Sequence, residues 1–549
     1  MKKFYGKEHW YLLKRATKQW HMAVSRKNKT ILGRLGFAGL LMFAPVKAFS
    51  SVDFTVDGLN YTAFDISQIA WVEKYGYEKY SGDIVIPATV TYDSKTYTVT
   101  KIASMSFQNC FDLTSIVIPE SVTTIGMQTF MNCTSLTSIE LPKGLTDLDV
   151  SCFSGCSNLE SAIMPEGLTT IPGMTFSGCK LTSFTIPQSV VTIGNSAFKK
   201  CEFTSIDIPD GVTDIGDGVF FSCKKLTSIT IPASVKSIGS QAFGYNTALT
   251  SVVIQEGCTR IGANAFENTA NLKSITIPSS CTSIGAEAFI ESGLQSVTIS
   301  EGVKTIGDKA FYNVPMTSIV IPASVSEIGT RVFSRSKIEN IEVDEENAVY
   351  RSIDGALYDK GITTLITCPP NRTDDLEIPE SVTTIGAYAF DFCNLSSITI
   401  PSSVSKIENN AFDGIYWGND TKIYCNWQEP IECTEPFSNS DNIYSATLYV
   451  PKGTKSKYEA VEPWKNFKNI VEMTTTGIEN VLASQNGQPE VSVDDGVIMV
   501  NGVDAATTVT VYDMQGRAVY SGTGCATVNL PAGLYIVSVG AHTAKVVLR

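Results

Sequence analysis

From Phe107 to Phe412 the apolar positions recur on a fixed beat. Phenylalanine stands at Phe107, Phe130, Phe153, Phe176, Phe198, Phe220, Phe243, Phe266, Phe289, Phe311, Phe333, Phe390 and Phe412, in steps of 22 or 23 residues with one step of 57. The unit is clearest in Asn271 to Phe289, NLKSITIPSSCTSIGAEAF. A period of this length predicts a solenoid in which each coil stacks only on its neighbours. Within a unit, Leu-Thr-Ser-Ile-x-Ile-Pro, as in Leu226 to Pro232, reads as a short strand. Ile229 and Ile231 lie two apart and face inward, which sends Ser228 and Thr230 outward. Proline ends that strand, and Ser-Val-x-x-Ile-Gly-x-x-Ala-Phe returns on the opposite side. Coils stacked at about 4.8 Å predict a rod on the order of 70 Å long.

Outside the repeat the pattern changes. Residues 52 to 100 are aromatic and alternating, and IVIPATVTYDSKTYTVTKI reads as two strands joined at Tyr92 to Lys95. An atypical unit here is expected to cover the apolar end of the first coil. After Phe412 come an aromatic, loop-rich stretch and ATLYVPKGTKSKYEAVEPWKNFKNIVEM, which predicts one strand and a short helix closing the solenoid. A polar segment without periodicity comes next, and from Val491 onward alternation returns as short strands. Between Phe333 and Phe390 the step of 57 exceeds two periods of 22 by 13, which predicts an irregular double coil with a protruding loop. Asp344, Glu345 and Glu346 lie there without EF-hand spacing and read as a solvated acidic loop, with calcium binding as the alternative.

The expected organisation is a leader at 1–48, an N-terminal β cap at 49–100, and solenoid coils at 101–334 and 377–415 around an irregular insert at 335–376. A C-terminal cap at 416–472, a linker at 473–490 and a small β-sandwich at 491–549 complete it. The leader is read from Leu35 to Val46, an apolar run bounded by Arg34 and Lys47. Spanning a bilayer takes about 20 apolar residues, so this shorter run predicts a secretory signal peptide, cleaved after Ala48 or Ser50. An uncleaved amphipathic anchor is the alternative.

Charge and composition narrow the function. The formal net charge is −13, and residues 1–50 alone contribute +10, leaving −23 on the rest. Such a chain repels phosphate backbones and anionic headgroups, so no nucleic acid is expected as a partner, and the membrane only through export or surface attachment. The three histidines are His9, His21 and His542, so the repeat has no imidazole for general-base or zinc chemistry. Paired carboxylates hydrolyse glycosides without histidine, but no pair stands out here.

Two columns test whether chemistry hides in the repeat. Cys110, Cys133, Cys156, Cys179, Cys201 and Cys223 each follow the phenylalanine by three residues, and Cys393 repeats the place. No C-x-x-C pair occurs, which removes the usual zinc spacing. The column reads as small buried hydrophobes, with a disulfide row as the alternative. The glycine column from Gly126 to Gly386 invites a positive φ, but Pro172 occupies that place once and cannot adopt it. The column therefore marks tight packing at a turn.

The strand L-x-x-I-x-I, with Cys three residues before Leu (Cys133, Leu136, Ile139, Leu141), and the return I-G-x-x-A-F-x-x-C resemble the BspA-like leucine-rich repeat family of bacterial surface proteins, over about residues 101–415. That resemblance implies a right-handed solenoid with a sheet on one face and no catalytic residues. For some members it implies adhesion to host matrix proteins such as fibronectin and fibrinogen, or coaggregation between bacteria. Its motif defines no ligand residues. Tyr512 to Arg517, Leu530 to Val537 and Lys545 to Val547 resemble the C-terminal sorting domain of type IX secretion. This implies outer-membrane export, removal of the tail and attachment to surface glycolipid.

The expected function is non-catalytic, adhesin-like recognition of an extracellular protein or glycan at the cell surface or after release. A structural spacer and a carbohydrate-binding protein are the alternatives. No enzyme activity, cofactor or metal is expected. The outward columns, Ser115 to Ser318 and Val117 to Val320, contain no Trp, Tyr or Arg, the types that anchor tight interfaces. Partner contacts are therefore expected where the repeat fails, with Tyr416, Trp417, Tyr424, Trp427 and Phe437 as candidates and end-cap core as their alternative role.

Overall fold

The computed structural model describes residues 51–74, 79–415, 421–437, 443–473, 490–494, 497–513, 517–531, 533–540 and 542–548. The expected leader and nearly all of the expected linker lie outside the described residues. The chain divides into a small unit, residues 1–51 with 64–66, and a larger one, residues 52–63 and 67–549, to which the repeat belongs.

The larger unit is a β-solenoid, and three rows of hydrogen bonds join its coils. On the outbound side, four-residue strands pair in parallel and in register: Ser228–Ile231 aligns with Ser251–Ile254, placing Ile229 on Val252 and Thr230 on Val253. Their alternation follows the pleat, with Ile229 and Ile231 buried, Ser228 and Thr230 exposed. On the return side, two-residue strands ending in the isoleucine before glycine form a continuous parallel ladder of eight, from Thr170–Ile171 to Glu327–Ile328. The resemblance implied a sheet on one face; there are ladders on both. A two-residue strand is too short to show alternation, so the second was invisible in the pattern.

The third row lies at the phenylalanine turn. The N–H of Gln241, Phe243 and Tyr245 donate to the carbonyls of Ala263, Ala265 and Glu267 in the next coil at 2.8, 2.8 and 2.7 Å. This geometry requires left-handed backbone two residues before and two after the phenylalanine, as at Gln241 (φ 56°) and Tyr245 (φ 60°). Between those places the rings from Phe107 to Phe333 stack in sequence, centroids 5.3 to 6.3 Å apart. The glycines of the column have no positive φ. A Cβ on Gly239 would lie 2.4 Å from the Gly216 carbonyl carbon and oxygen, so the column is a close approach between coils.

All fourteen cysteines are free. From Cys133 to Cys223 the column donates Sγ–H to the phenylalanine carbonyl of the preceding coil: Cys133 to Phe107 at 3.2 Å, Cys156 to Phe130 at 3.1 Å, Cys223 to Phe198 at 3.1 Å. Burial pushes the Cys223 thiol up to about 12.

The insert contributes one further coil in which Cys368 takes the phenylalanine place. Its N–H donates to Ala389 O at 2.7 Å, and its carbonyl accepts the Cys393 thiol at 3.6 Å. The extra residues form an antiparallel hairpin, Tyr350–Ile353 with Ala356–Asp359, leading into Thr364–Thr367. Buried Arg372 ties this hairpin down through Asp354 and Asp374 at 2.7 and 3.0 Å. Asp344, Glu345 and Glu346 are exposed at its base. Because the phenylalanine stack stops here, Arg331 bridges the gap, with Nε 2.8 Å from Asp391 Oδ2 and the guanidinium 4.8 Å from the Tyr388 ring centroid.

At the N-terminal end Thr89–Tyr92 and Lys95–Ile102 form a hairpin whose second strand lies in the return ladder between Ile69–Glu73 and Thr124–Ile125, parallel to both. At the other end the outbound sheet continues from Ser397–Ile400 through Lys422–Cys425, Thr447–Val450 and Asn469–Glu472. The segment expected to hold one strand and a helix thus holds two strands, around a helical turn at Lys455–Tyr458. The C-terminal residues form a three-stranded and a four-stranded antiparallel sheet sharing a valine-rich core, Val500, Val509, Val511 and Val537 among it.

Candidate recognition face

The outward column of the outbound sheet can be followed by register. It runs from Val85 and Val117 through Glu140 and Ile163, Thr230 and Val253, Thr276 and Thr298, and Val320 and Glu342. It continues through Thr399, Tyr424, Tyr449 and Val471. Small and β-branched side chains dominate. Val85, Val117 and Ile163 are among the exposed apolar side chains near its start.

The column changes character at Tyr424 and Tyr449. They are direct register partners, half-buried, with ring centroids 4.7 Å apart and planes 20° off parallel. Parallel strands hold both side chains on one face, so the two rings support each other and stand pre-ordered at the surface. Asn469 donates to Thr447 Oγ1 at 2.8 Å beside them, fixing the neighbouring outward column.

The other candidates fall differently. Tyr416 and Trp417 lie outside the described residues. Trp427 and Phe437 are buried, at 4% and 7% exposure, and are core rather than surface: Trp427 Nε1 donates to Val404 O at 2.7 Å, and Phe437 meets Trp464 and Phe467 edge-on. Their rings pack against Trp464 and Phe467 and fill the layers between the last strands. Tyr449 was missed because the step from Tyr424 departs from the repeat's period. Its signal was nevertheless present: Thr-Leu-Tyr-Val-Pro at 447–451 repeats Ser-Ile-Thr-Ile-Pro at 397–401 and puts Tyr449 in the place of Thr399. Among the described residues, no group of three or more His, Cys, Asp or Glu side chains is placed to hold a metal ion.

The sequence profile of the BspA type leucine rich repeat region, in six copies, matches residues 91–202, 169–293, 282–414 and 367–456, well over half of the chain. The chain belongs to this family. The coils of this BspA-type protein also resemble solved structures. A leucine-rich repeat protein from Bacteroides ovatus aligns at 24% identity over 77% of this chain and 100% of its own, with a TM-score of 0.54. A leucine rich cell surface protein from Faecalibacterium prausnitzii aligns at 23% identity over 78% of this chain and 96% of its own, with a TM-score of 0.33. No curated protein matches.

Proposed function

We propose that this protein is a non-catalytic recognition protein of the cell surface, which presents its outbound sheet to an extracellular protein or glycan and anchors it at Tyr424 and Tyr449. The observation that carries this reading is the stacked tyrosine pair. Among the described residues the outward column is aromatic only there, and pre-ordered tyrosines combine apolar area with a hydrogen-bonding tip at low entropic cost. Family membership supports the location.

The test is a binding screen against matrix proteins, bacterial surfaces and glycans, followed by the double variant Tyr424→Ser/Tyr449→Ser, checked for native unfolding behaviour. Loss of about tenfold or more in affinity for any partner found supports the anchor; unchanged affinity overturns it. Residues 491–549 serve type IX export in this proposal. Deleting them is expected to leave the protein in the periplasm, and undiminished surface display would refute that role.

A further inference from the structure

The two ladders end at different coils. On the return side the last strand is Lys406–Ile407, while the outbound sheet runs on for three more strands. The reason is visible one coil later. Five residues before each phenylalanine of the column stands an aliphatic residue, half-buried at Ile328 and buried elsewhere, as at Ile306, Ile385 and Ile407; five before Phe437 stands Glu432. A carboxylate cannot enter that apolar slot without a partner. Glu432 is exposed, and its segment stands off from Lys406–Ile407 rather than pairing with it. The phenylalanine turn still docks, with Phe412 N–H donating to Pro436 O at 2.9 Å.

A groove of about 980 Å³ opens in the vacated rung, lined by residues 405–409, 432–434 and 460–462. One wall is a strand edge. Ser405 and Lys406 N–H both donate backward to Thr383 O, at 2.9 and 3.1 Å, and Glu408 N–H to Ile385 O at 2.9 Å. By the same alternation the N–H and carbonyl of Ile407 face forward, into the groove. No described strand pairs with this edge. Where the ladder stops earlier, at Ile328, the corresponding N–H is met by the Tyr350 hydroxyl at 3.0 Å. At the groove acids outnumber bases: Glu408 pairs with Lys406 at 2.9 Å, Glu462 pairs with Lys465 at 2.7 Å beside the lining, and Glu432 stands exposed.

We infer that this groove binds an extended, basic peptide segment of a partner protein, added in parallel to Lys406–Ile407 as the missing rung, with an aliphatic side chain beside Ile407 and lysine or arginine facing the glutamates. An open strand edge offers main-chain pairing that a globular surface cannot use, and the surrounding acids select the charge. A second copy of this acidic chain fits the charge poorly. The site is separate from the tyrosine face and stands or falls independently of it.

The probe is a capped hexapeptide alternating lysine and isoleucine, titrated into the full chain by calorimetry beside its glutamate–isoleucine counterpart and a version N-methylated at the amides meant to meet the Ile407 edge. Binding of the lysine peptide alone is expected, weakened roughly tenfold or more by N-methylation and by Glu462→Lys. Glu432→Ile is expected to close the rung and abolish binding while raising the unfolding midpoint. Binding that ignores N-methylation would mean charge attraction without strand addition and overturn the inference. So would equal binding of both peptides, binding of neither, or self-association removed by Glu432→Ile, which would assign the edge to a second copy.

Discussion

Gly239 and Gln241 sit two residues apart with opposite backbone demands. Gly239 has ordinary φ but no room: the missing Cβ is where the preceding coil's Gly216 carbonyl sits. Gln241 has room but a left-handed φ of 56°. Gly239→Ala is therefore expected to destabilise by about 1 to 3 kcal/mol through forced separation of two coils, whereas Gln241→Gly, which relieves a left-handed residue, is expected to change stability by less than about 1 kcal/mol. Denaturant unfolding of the two variants checks this, and the reverse order would contradict the assignment. The glycine column was readable from sequence because Pro172 interrupts it. The left-handed positions were not, since Gln, Ser, Met, Lys and Tyr fill them and none announces its φ. Phe243, fully buried between Phe220 and Phe266, tests the stack directly. Phe243→Ala is expected to reduce the unfolding free energy by about 3 to 5 kcal/mol, and a loss below about 1 kcal/mol would remove it from the core.

At the scale of the element, the insert is where the solenoid changes its means of cohesion. Ring stacking ends at Phe333 and resumes at Phe390, and Arg331 spans the interval to Asp391, whose side chain is fully buried. Removing the guanidinium would strand that carboxylate, so Arg331→Ala is expected to cost about 3 to 5 kcal/mol at neutral pH. Burial, which outweighs the attraction of Arg331, raises the Asp391 pKa above its ordinary value. A raised carboxyl pKa means the folded state binds the proton more tightly than the unfolded state, so stability falls as pH rises from the unfolded through the folded pKa. The variant's deficit should accordingly shrink as pH is lowered into the carboxylate range; a deficit independent of pH would show that Asp391 is not the source. The step of 57 marked the place of the insert, but nothing in the spacing indicated that residues 60 apart would pair.

For the whole solenoid, the buried side chains fall into two clusters, one running from Phe54 to Leu357 and the other from Ala356 to Ile470. Nearest-neighbour stacking makes stability a sum over coils and interfaces, so damage propagates within a cluster before it crosses the insert. Phe412→Ala is expected to speed amide exchange in the coils after Cys368 while leaving those around Phe243 near their original protection; uniform loss across both would show one cooperative unit. The thiols give a second measure. With all fourteen free and Cys525 exposed, native protein should react first at Cys525 and show its full thiol complement only in denaturant. A smaller complement would reveal bridges.

Periodicity carried the solenoid, its inward Ile, Phe and Cys columns and the places where it ends, because every coil meets a copy of itself and nearest-neighbour contacts are written in each repeat. The aromatic stretch after Phe412 marked Tyr424, but composition could not separate it from Trp427 and Phe437, which are buried. The tyrosine pair, the Arg331 bridge and the open edge at Ile407 were decided by folding. Each arises where the repeat lapses, so what meets there depends on how far the chain travels between coils, and side-chain type alone does not encode that distance.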